Sequence, residues 1–269
     1  MKTFLVDSFT DRPFRGNPAG VCIVQEPLTD DMMLSIAQEL NLSETAFISP
    51  QHDSRNFAIR YFSPKMEIPL CGHATLAAAR VVFGSFGYTN ASFVTGSGIT
   101  LAVEVSTHSI SMVFPVYETQ PAEAPRPLLD ALGLTSVKNA VFNEETRILL
   151  LEIADTQILA NLVPDFSALY ASHDSINGVL VTAPSENDEY DFHSRYFWPW
   201  SGTDEDPVTG GTHTFLAKYW AQRLGKTKMR SYQSSKRSGS MHVELESDRL
   251  VIRSQAIVVF EGSMVVREK

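Results

Sequence analysis

The chain has 269 residues, of which 43% are hydrophobic, 20% charged and 10% aromatic, a profile that requires a buried core and excludes a disordered or fibrous protein. Its 22 Lys and Arg stand against 31 Asp and Glu, a net charge of −9, and no stretch gathers enough basic residues to neutralise a phosphate backbone, so nucleic acid is not an expected partner. Two cysteines, Cys22 and Cys71, are too few for a disulfide framework, and no apolar run is long enough for a signal peptide or a membrane span; the expected location is cytoplasmic, with no membrane partner.

In chain order, residues 3–9, 20–24, 44–48, 57–62, 91–94, 100–105 and 109–114 carry the β-branched and aromatic content of short strands. Residues 29–40 read as an amphipathic helix, with Thr29 as N-cap and Met32, Met33, Ile36, Ala37 and Leu40 on one face. By contrast, residues 75–83 are apolar on nearly every side, which predicts a helix enclosed by strands. A second such helix is predicted over 214–224, with Phe215, Leu216, Tyr219 and Trp220 inside, Lys218, Gln222 and Arg223 on an exposed edge, and Gly225 as its stop.

Arg60-Tyr61-Phe62-Ser63-Pro64 recurs as Arg195-Tyr196-Phe197-Trp198-Pro199, and each copy runs into a glycine turn and a helix. Upstream, 45–50 matches 178–184; downstream, 101–105 matches 241–245. Four matches in one order point to an internal duplication. The predicted fold is therefore α+β, two pseudo-symmetric lobes, each a rolled, mostly antiparallel, barrel-like sheet around a central helix. The expected boundaries are 1–116 for the N-terminal lobe, 127–269 for the C-terminal lobe, and a proline-rich linker over 117–126, with either terminus free to cross to the other lobe.

A glycine turn that opens a buried helix presents unpaired N–H groups to an anion. Cys71, Gly72 and His73 open one helix; Gly210, Gly211 and Thr212 open the other, so both turns are candidates for holding a small carboxylate. His73 is a candidate for proton transfer because imidazole titrates near neutrality. Glu44 stands where a helix gives way to a strand, and Asp206 ends an acidic run before the second turn; a carboxylate at either place is a candidate acid or base. Cys71 at a helix start is expected to have a lowered thiol pKa. The second turn offers Thr209, Thr212 and Thr214 in place of a second cysteine, which counts against a two-thiol racemase. The histidine spacings predict no metal site, and no glycine-rich phosphate loop predicts a nucleotide.

These residues carry a family resemblance. Val6-Asp7-Ser8-Phe9, Gly16-Asn17-Pro18, Asn41-Leu42-Ser43-Glu44, Cys71-Gly72-His73, and Glu205-Asp206-Pro207-Val208-Thr209-Gly210 together resemble the PhzF-like isomerase family of phenazine biosynthesis. The resemblance covers almost the whole chain. It implies the diaminopimelate-epimerase-like fold and a cofactor-independent isomerisation, in which the glutamate at position 44 moves a proton between carbons of a small carboxylate. The histidine at 73 and the aspartate at 206 are implied to assist. A dry site is expected to raise the Glu44 pKa toward neutrality. Members in phenazine pathways isomerise a dihydro-hydroxyanthranilate, and relatives suggest a homodimer. Such members usually have serine where this chain has Gly211. Two alternatives stay open: an epimerase or racemase that uses Cys71, and a non-catalytic member that binds a metabolite or protein.

Overall fold

The computed structural model describes residues 1–51, 55–107, 109–201 and 203–265. Its chain forms two units, Met1–Val113 joined by the residues from Val251 onward, and Phe114–Leu250.

In the first unit, β1 (Lys2–Ser8) and β2 (Asn17–Ile23) run antiparallel, with Ser8 opposite Asn17. The connecting loop needs Gly16: its φ is +67°, and a Cβ there would lie 2.0 Å from the Ser8 carbonyl oxygen. Helix α1 (Asp30–Leu40) then carries the chain to β3 (Glu44–Pro50), which lies parallel to β2, the pairing that a helical crossover permits. Thr29 caps α1 by accepting from Met32 N–H at 3.3 Å, and the buried Met33, Ile36 and Ala37 pack with Cys22, Phe47 and Phe62. Next come β4 (Asn56–Phe62), antiparallel to β3, and the two-residue β5 (Glu67–Ile68) folded back along it. Helix α2 (Gly72–Phe86) follows, then β6 (Asn90–Thr95), parallel to β4, and the antiparallel β7 (Thr100–Ser106) and β8 (Ser109–Pro115). As its composition predicts, α2 is enclosed: from His73 to Phe83 every residue but Arg80 is buried, against β1, β2, β3, β6 and β7.

The second unit begins with β9 (Gln120–Pro121), α3 (Arg126–Leu132), β10 (Asn139–Asn143) and β11 (Ile148–Glu152). Two short helices, α4 (Thr156–Ala160) and α5 (Phe166–Ala171), lead to β12 (Gly178–Pro184), β13 (Phe192–Trp198) and β14 (Thr203–Asp206). Helix α6 (His213–Leu224) precedes β15 (Lys228–Gln233) and β16 (Gly239–Glu246), and β17 (Arg249–Ser254) carries the chain back into the first unit, where it pairs with β8. The buried Trp220 of α6 stacks on Phe192, with ring centroids 5.6 Å apart, and its Nε1–H donates to Thr182 Oγ1 at 2.9 Å. Leu128, Leu132, Leu159 and Leu169 of the short helices pack on Leu149, Leu151, Val179 and Val181.

The two units repeat one ladder. β2 and β3 are parallel, β3–β4 and β4–β5 antiparallel, β4 and β6 parallel, and β6–β7 antiparallel; β11 to β16 follow the same order of pairings. These are the two pseudo-symmetric α+β lobes expected. The recurring arginine has a structural role. Arg60 forms a fork on Glu67 with bonds of 2.7 and 2.6 Å, and its guanidinium lies 5.1 Å from the Phe62 ring centre. Arg195 repeats this on Glu205 at 2.7 and 2.8 Å, 4.9 Å from Phe197. Each fork ties the strand to the short return strand that leads to the glycine turn.

The expected boundaries need correction at the linker: residues 117–126 are part of the second unit, because β9 within them pairs with β10, and Ala122 N–H donates to Ala140 O at 3.1 Å. The C-terminus is the end that crosses to the other lobe: β18 (Ala256–Ser263) pairs antiparallel with β1 of the first unit. An edge strand of that length exposes a row of unpaired backbone groups, and β18 covers it. Among the described residues, no helix is long and apolar enough to cross a membrane.

Candidate active site

In the first unit, three chain segments converge on the start of α2. The parallel β2–β3 pairing sets Glu44, the first residue of β3, opposite Ala19, two residues beyond Asn17. Cys71 is the N-cap of α2, extended in backbone and without a side-chain cap bond, and His73 sits in the first turn. Ser8, the last residue of β1, donates its hydroxyl to His73 O at 2.7 Å and fixes that turn against the sheet. The His73 ring is then held from both sides: Nε2 lies 3.2 Å from Glu44 Oε2 and 3.3 Å from Ser43 Oγ, while Nδ1 lies 3.3 Å from Asn17 Nδ2 and 3.4 Å from Cys71 Sγ. Glu44, Cys71 and His73 are all buried.

Burial works against the Glu44 anion, but the hydrogen bond and charge of His73, with further bonds from Ser43 and Cys71, outweigh it and hold the carboxyl below its ordinary pKa. This reverses the expectation of a raised Glu44, because the expectation counted desolvation and not the imidazole partner. Burial also opposes charge on His73, yet the neighbouring Cys71 and Glu44 lift its pKa well above the usual imidazole value. At Cys71 burial dominates and pushes the thiol pKa up, so the lowering expected from the helix start is overturned. Glu44 is thus held toward its carboxylate form beside His73, and that carboxylate favours a proton on the imidazole. Among the described residues, Glu44, Cys71 and His73 also form a group whose potential ligand atoms lie within 4.8 Å of one another, which no histidine spacing in the sequence signalled.

In the second unit, Asp206 ends β14 opposite Tyr196 and accepts a hydrogen bond from the Thr209 hydroxyl. Gln233 spans the intervening turn: its Nε2 donates to Asp206 O at 2.7 Å, and its Oε1 accepts from Thr209 N–H at 2.9 Å. Ser235 Oγ donates to Pro207 O at 2.5 Å, a further tie on the same segment. Helix α6 begins after Gly210, Gly211 and Thr212, whose carbonyls accept from His213, Thr214 and Phe215. His213, buried at the first position of α6, lies 3.0 Å from Thr209 O through Nδ1 and 2.8 Å from Ser231 Oγ through Nε2. A carbonyl only accepts, so Nδ1 carries the proton and Nε2 accepts from Ser231. Burial drops the His213 pKa to about 4 despite these bonds, so the ring is neutral and structural.

The family model described as phenazine biosynthesis-like protein matches residues 6–262. The chain belongs to that family. A human phenazine biosynthesis-like domain-containing protein is 40% identical over 97% of this chain and 98% of its own. An uncharacterized isomerase of Pseudomonas aeruginosa is 40% identical over 97% of each. The crystal structure of a PhzF-family protein from Enterococcus faecalis superposes with a TM-score of 0.92 at 36% identity, covering 98% of this chain and 99% of that one. Membership in the PhzF family and its diaminopimelate-epimerase-like fold agree with the two-lobe architecture described above.

As a PhzF-family chain, it brings Glu44, Cys71, Gly72 and His73 together in one unit, and Asp206, Gly210, Gly211 and Thr212 together in the other. Gly202, which opens the acidic run that ends at Asp206, lies outside the described residues. Sequence reasoning gave no role to Ser43, Asn17, Ser8 or Gln233. Asn17 and Ser43 stand inside the quoted motifs, which is the signal that marks them; Gln233 has none, since only the β13–β15 pairing brings it beneath Asp206.

Proposed function

We propose that this protein is a cofactor-independent isomerase that moves a proton between carbons of a small carboxylated substrate, with Glu44 as the general base and acid. The observation that carries the reading is the buried Glu44 carboxylate at 3.2 Å from His73 Nε2. A carboxylate held ionised is already in the form that accepts a proton from carbon, and the adjacent imidazolium favours negative charge as it develops on the substrate. Once Glu44 is protonated it returns the proton to a second carbon, while His73 relays or orients. General acid–base help of this kind is worth about a hundredfold to ten-thousandfold in rate. Asp206 and the turn at Gly210, Gly211 and Thr212 are proposed as a second set of substrate contacts, with Thr209 fixing the Asp206 carboxylate. Cys71 and Gly72 are proposed to line the first set.

The test is isotope exchange. Incubated in heavy water with a panel of small unsaturated carboxylates, the protein incorporates deuterium at carbon, and a folded Glu44→Gln variant does not. Full exchange by Glu44→Gln removes Glu44 from the role. Binding of these acids without exchange by the wild-type protein favours the non-catalytic reading. An epimerase that uses Cys71 is the weaker alternative, because a thiol kept neutral by burial is a poor base for carbon acids.

A further inference from the structure

We infer that Tyr196 belongs to the second set of substrate contacts, where its phenol O–H donates to an oxygen of the bound carboxylate. The internal duplication gives the first argument. Arg60-Tyr61-Phe62 and Arg195-Tyr196-Phe197 are copies of one motif, with Phe62 opposite Thr45 and Phe197 opposite Val179. One residue back along β3 and β12, Glu44 in the first unit therefore answers to Gly178 in the second, and each opens its strand. Gly178 marks the difference between the copies. A Cβ there would lie 2.6 Å from the Tyr196 hydroxyl oxygen, so the phenol fills the space into which a side chain at the Glu44 position would grow.

The two tyrosine hydroxyls then differ in their partners. Thr75 donates to Cys71 O at 2.7 Å, so Tyr61 donates to Thr75 Oγ1 at 2.6 Å and helps to hold the first turn of α2. In the second unit the residue four after Thr209 is His213, whose ring bonds Thr209 O and Ser231 instead. Tyr196 is buried, yet among the described residues its hydroxyl has no hydrogen-bond partner, a state that a buried phenol rarely keeps without a ligand or water. Across the ladder it faces Asp206. Burial and the Asp206 carboxylate both push its pKa up, which keeps the phenol a neutral donor. A donor fixed beforehand stabilises negative charge that develops on oxygen. The matching substrate is an acid deprotonated at the carbon next to its carboxyl group, or conjugated with it: the proton goes to Glu44, and the electron pair of the broken C–H bond moves onto the carboxylate oxygens. This assignment of substrate class rests on the isomerase reading above; the contact itself does not.

Tyr196→Phe in the full-length chain tests the contact, with crotonate and cyclohexenecarboxylate as probes. Its Tm stays within about a degree of wild type, because the deleted hydroxyl bonds nothing in the fold, whereas Tyr61→Phe, which loses a bonded hydroxyl, melts lower. By calorimetry Tyr196→Phe binds the acids at least about tenfold more weakly, and in heavy water it exchanges deuterium correspondingly more slowly. Unchanged binding and exchange in Tyr196→Phe overturn the inference and leave Glu44 in its role. So does a lowered Tm with unchanged affinity, which assigns the hydroxyl to structure. A wild-type protein that binds the acids without exchange, and loses that binding on Tyr196→Phe, sinks the isomerase reading and keeps the contact. Failure of the wild-type protein to bind either acid overturns both.

Discussion

His73 Nε2 and Glu44 Oε2 stand 3.2 Å apart, both buried, with Ser43 Oγ 3.3 Å from the same nitrogen. Each charge is stabilised by the other, with help from Ser43 and Cys71, so the pair acts as a unit. Replacing Glu44 by Gln keeps the shape and removes the carboxylate. Solvent-deuterium exchange into substrate is expected to fall at least a hundredfold, with the KM changing far less than kcat. Exchange followed by mass spectrometry on protein of unaltered circular dichroism checks this.

The two arginine forks differ in burial, and their truncation costs should differ accordingly. Arg60 is 29% exposed and Arg195 9%, and Arg195 Nη1 also donates to Leu159 O at 3.2 Å and Leu162 O at 2.7 Å. Arg195→Met leaves the Glu205 carboxylate without its fork and the Leu162 carbonyl without this donor, and is expected to lose about 3–5 kcal/mol. Arg60→Met is expected to lose about 1 kcal/mol or less. Urea denaturation of the two variants gives the comparison, and equal losses would refute it.

Gln233 ties Asp206 O to Thr209 N–H across one turn. Gln233→Leu fills the same volume but leaves a buried donor and a buried acceptor unmet, for about 1–3 kcal/mol each. Thermal unfolding is expected to show a lowered Tm. Through the displaced Asp206 the variant also weakens substrate binding under the proposed function, read as a raised KM.

His213 titrates at about 4 in the fold against about 6.5 when unfolded. The unfolded chain therefore binds a proton that the folded chain refuses, and this contribution to stability is full above pH 6.5 and is lost as the pH falls to about 4. The loss attributable to this ring is on the order of 3 kcal/mol. Denaturation midpoints measured between pH 4 and 7 in wild type and His213→Asn should show a shallower slope in the variant.

Two glycines give opposite expectations. A Cβ on Gly211 meets nothing within 4 Å, and its φ is not in the left-handed region. Gly211→Ser, which restores the hydroxyl usual in phenazine-pathway members, is expected to leave Tm within about a degree and to alter substrate preference. Gly16→Ala meets the Ser8 carbonyl at 2.0 Å with φ at +67°, and is expected to destabilise by several kcal/mol. A calorimetric scan of both separates the cases.

The helices and most strands of the first lobe were legible because their burial follows simple periods. The run from Leu76 to Val82 is apolar except for Arg80 and lies inside; Met33, Ile36 and Ala37 fall on one side of α1. The repeated arginine motif was legible as a repeat but not as an ion-pair fork, since its partners Glu67 and Glu205 sit on strands of two and four residues. Helices α3, α4 and α5 went unread because five to seven residues hold too few turns for a period to emerge. At the site, Glu44 and His73 were named from the sequence, but the sign of the Glu44 shift depended on their 3.2 Å separation, which no spacing along the chain encodes.

The pairing of β18 with β1 imposes an order on biosynthesis. A ribosome must finish residues 114–250 before it makes the strand that covers β1. Throughout that interval the nascent first lobe carries an open edge, and the second lobe has all its residues once Leu250 is made, before β18 exists. Vectorial folding therefore favours the later-made lobe as the earlier to close, and the interval of exposure is when a chaperone has most to protect.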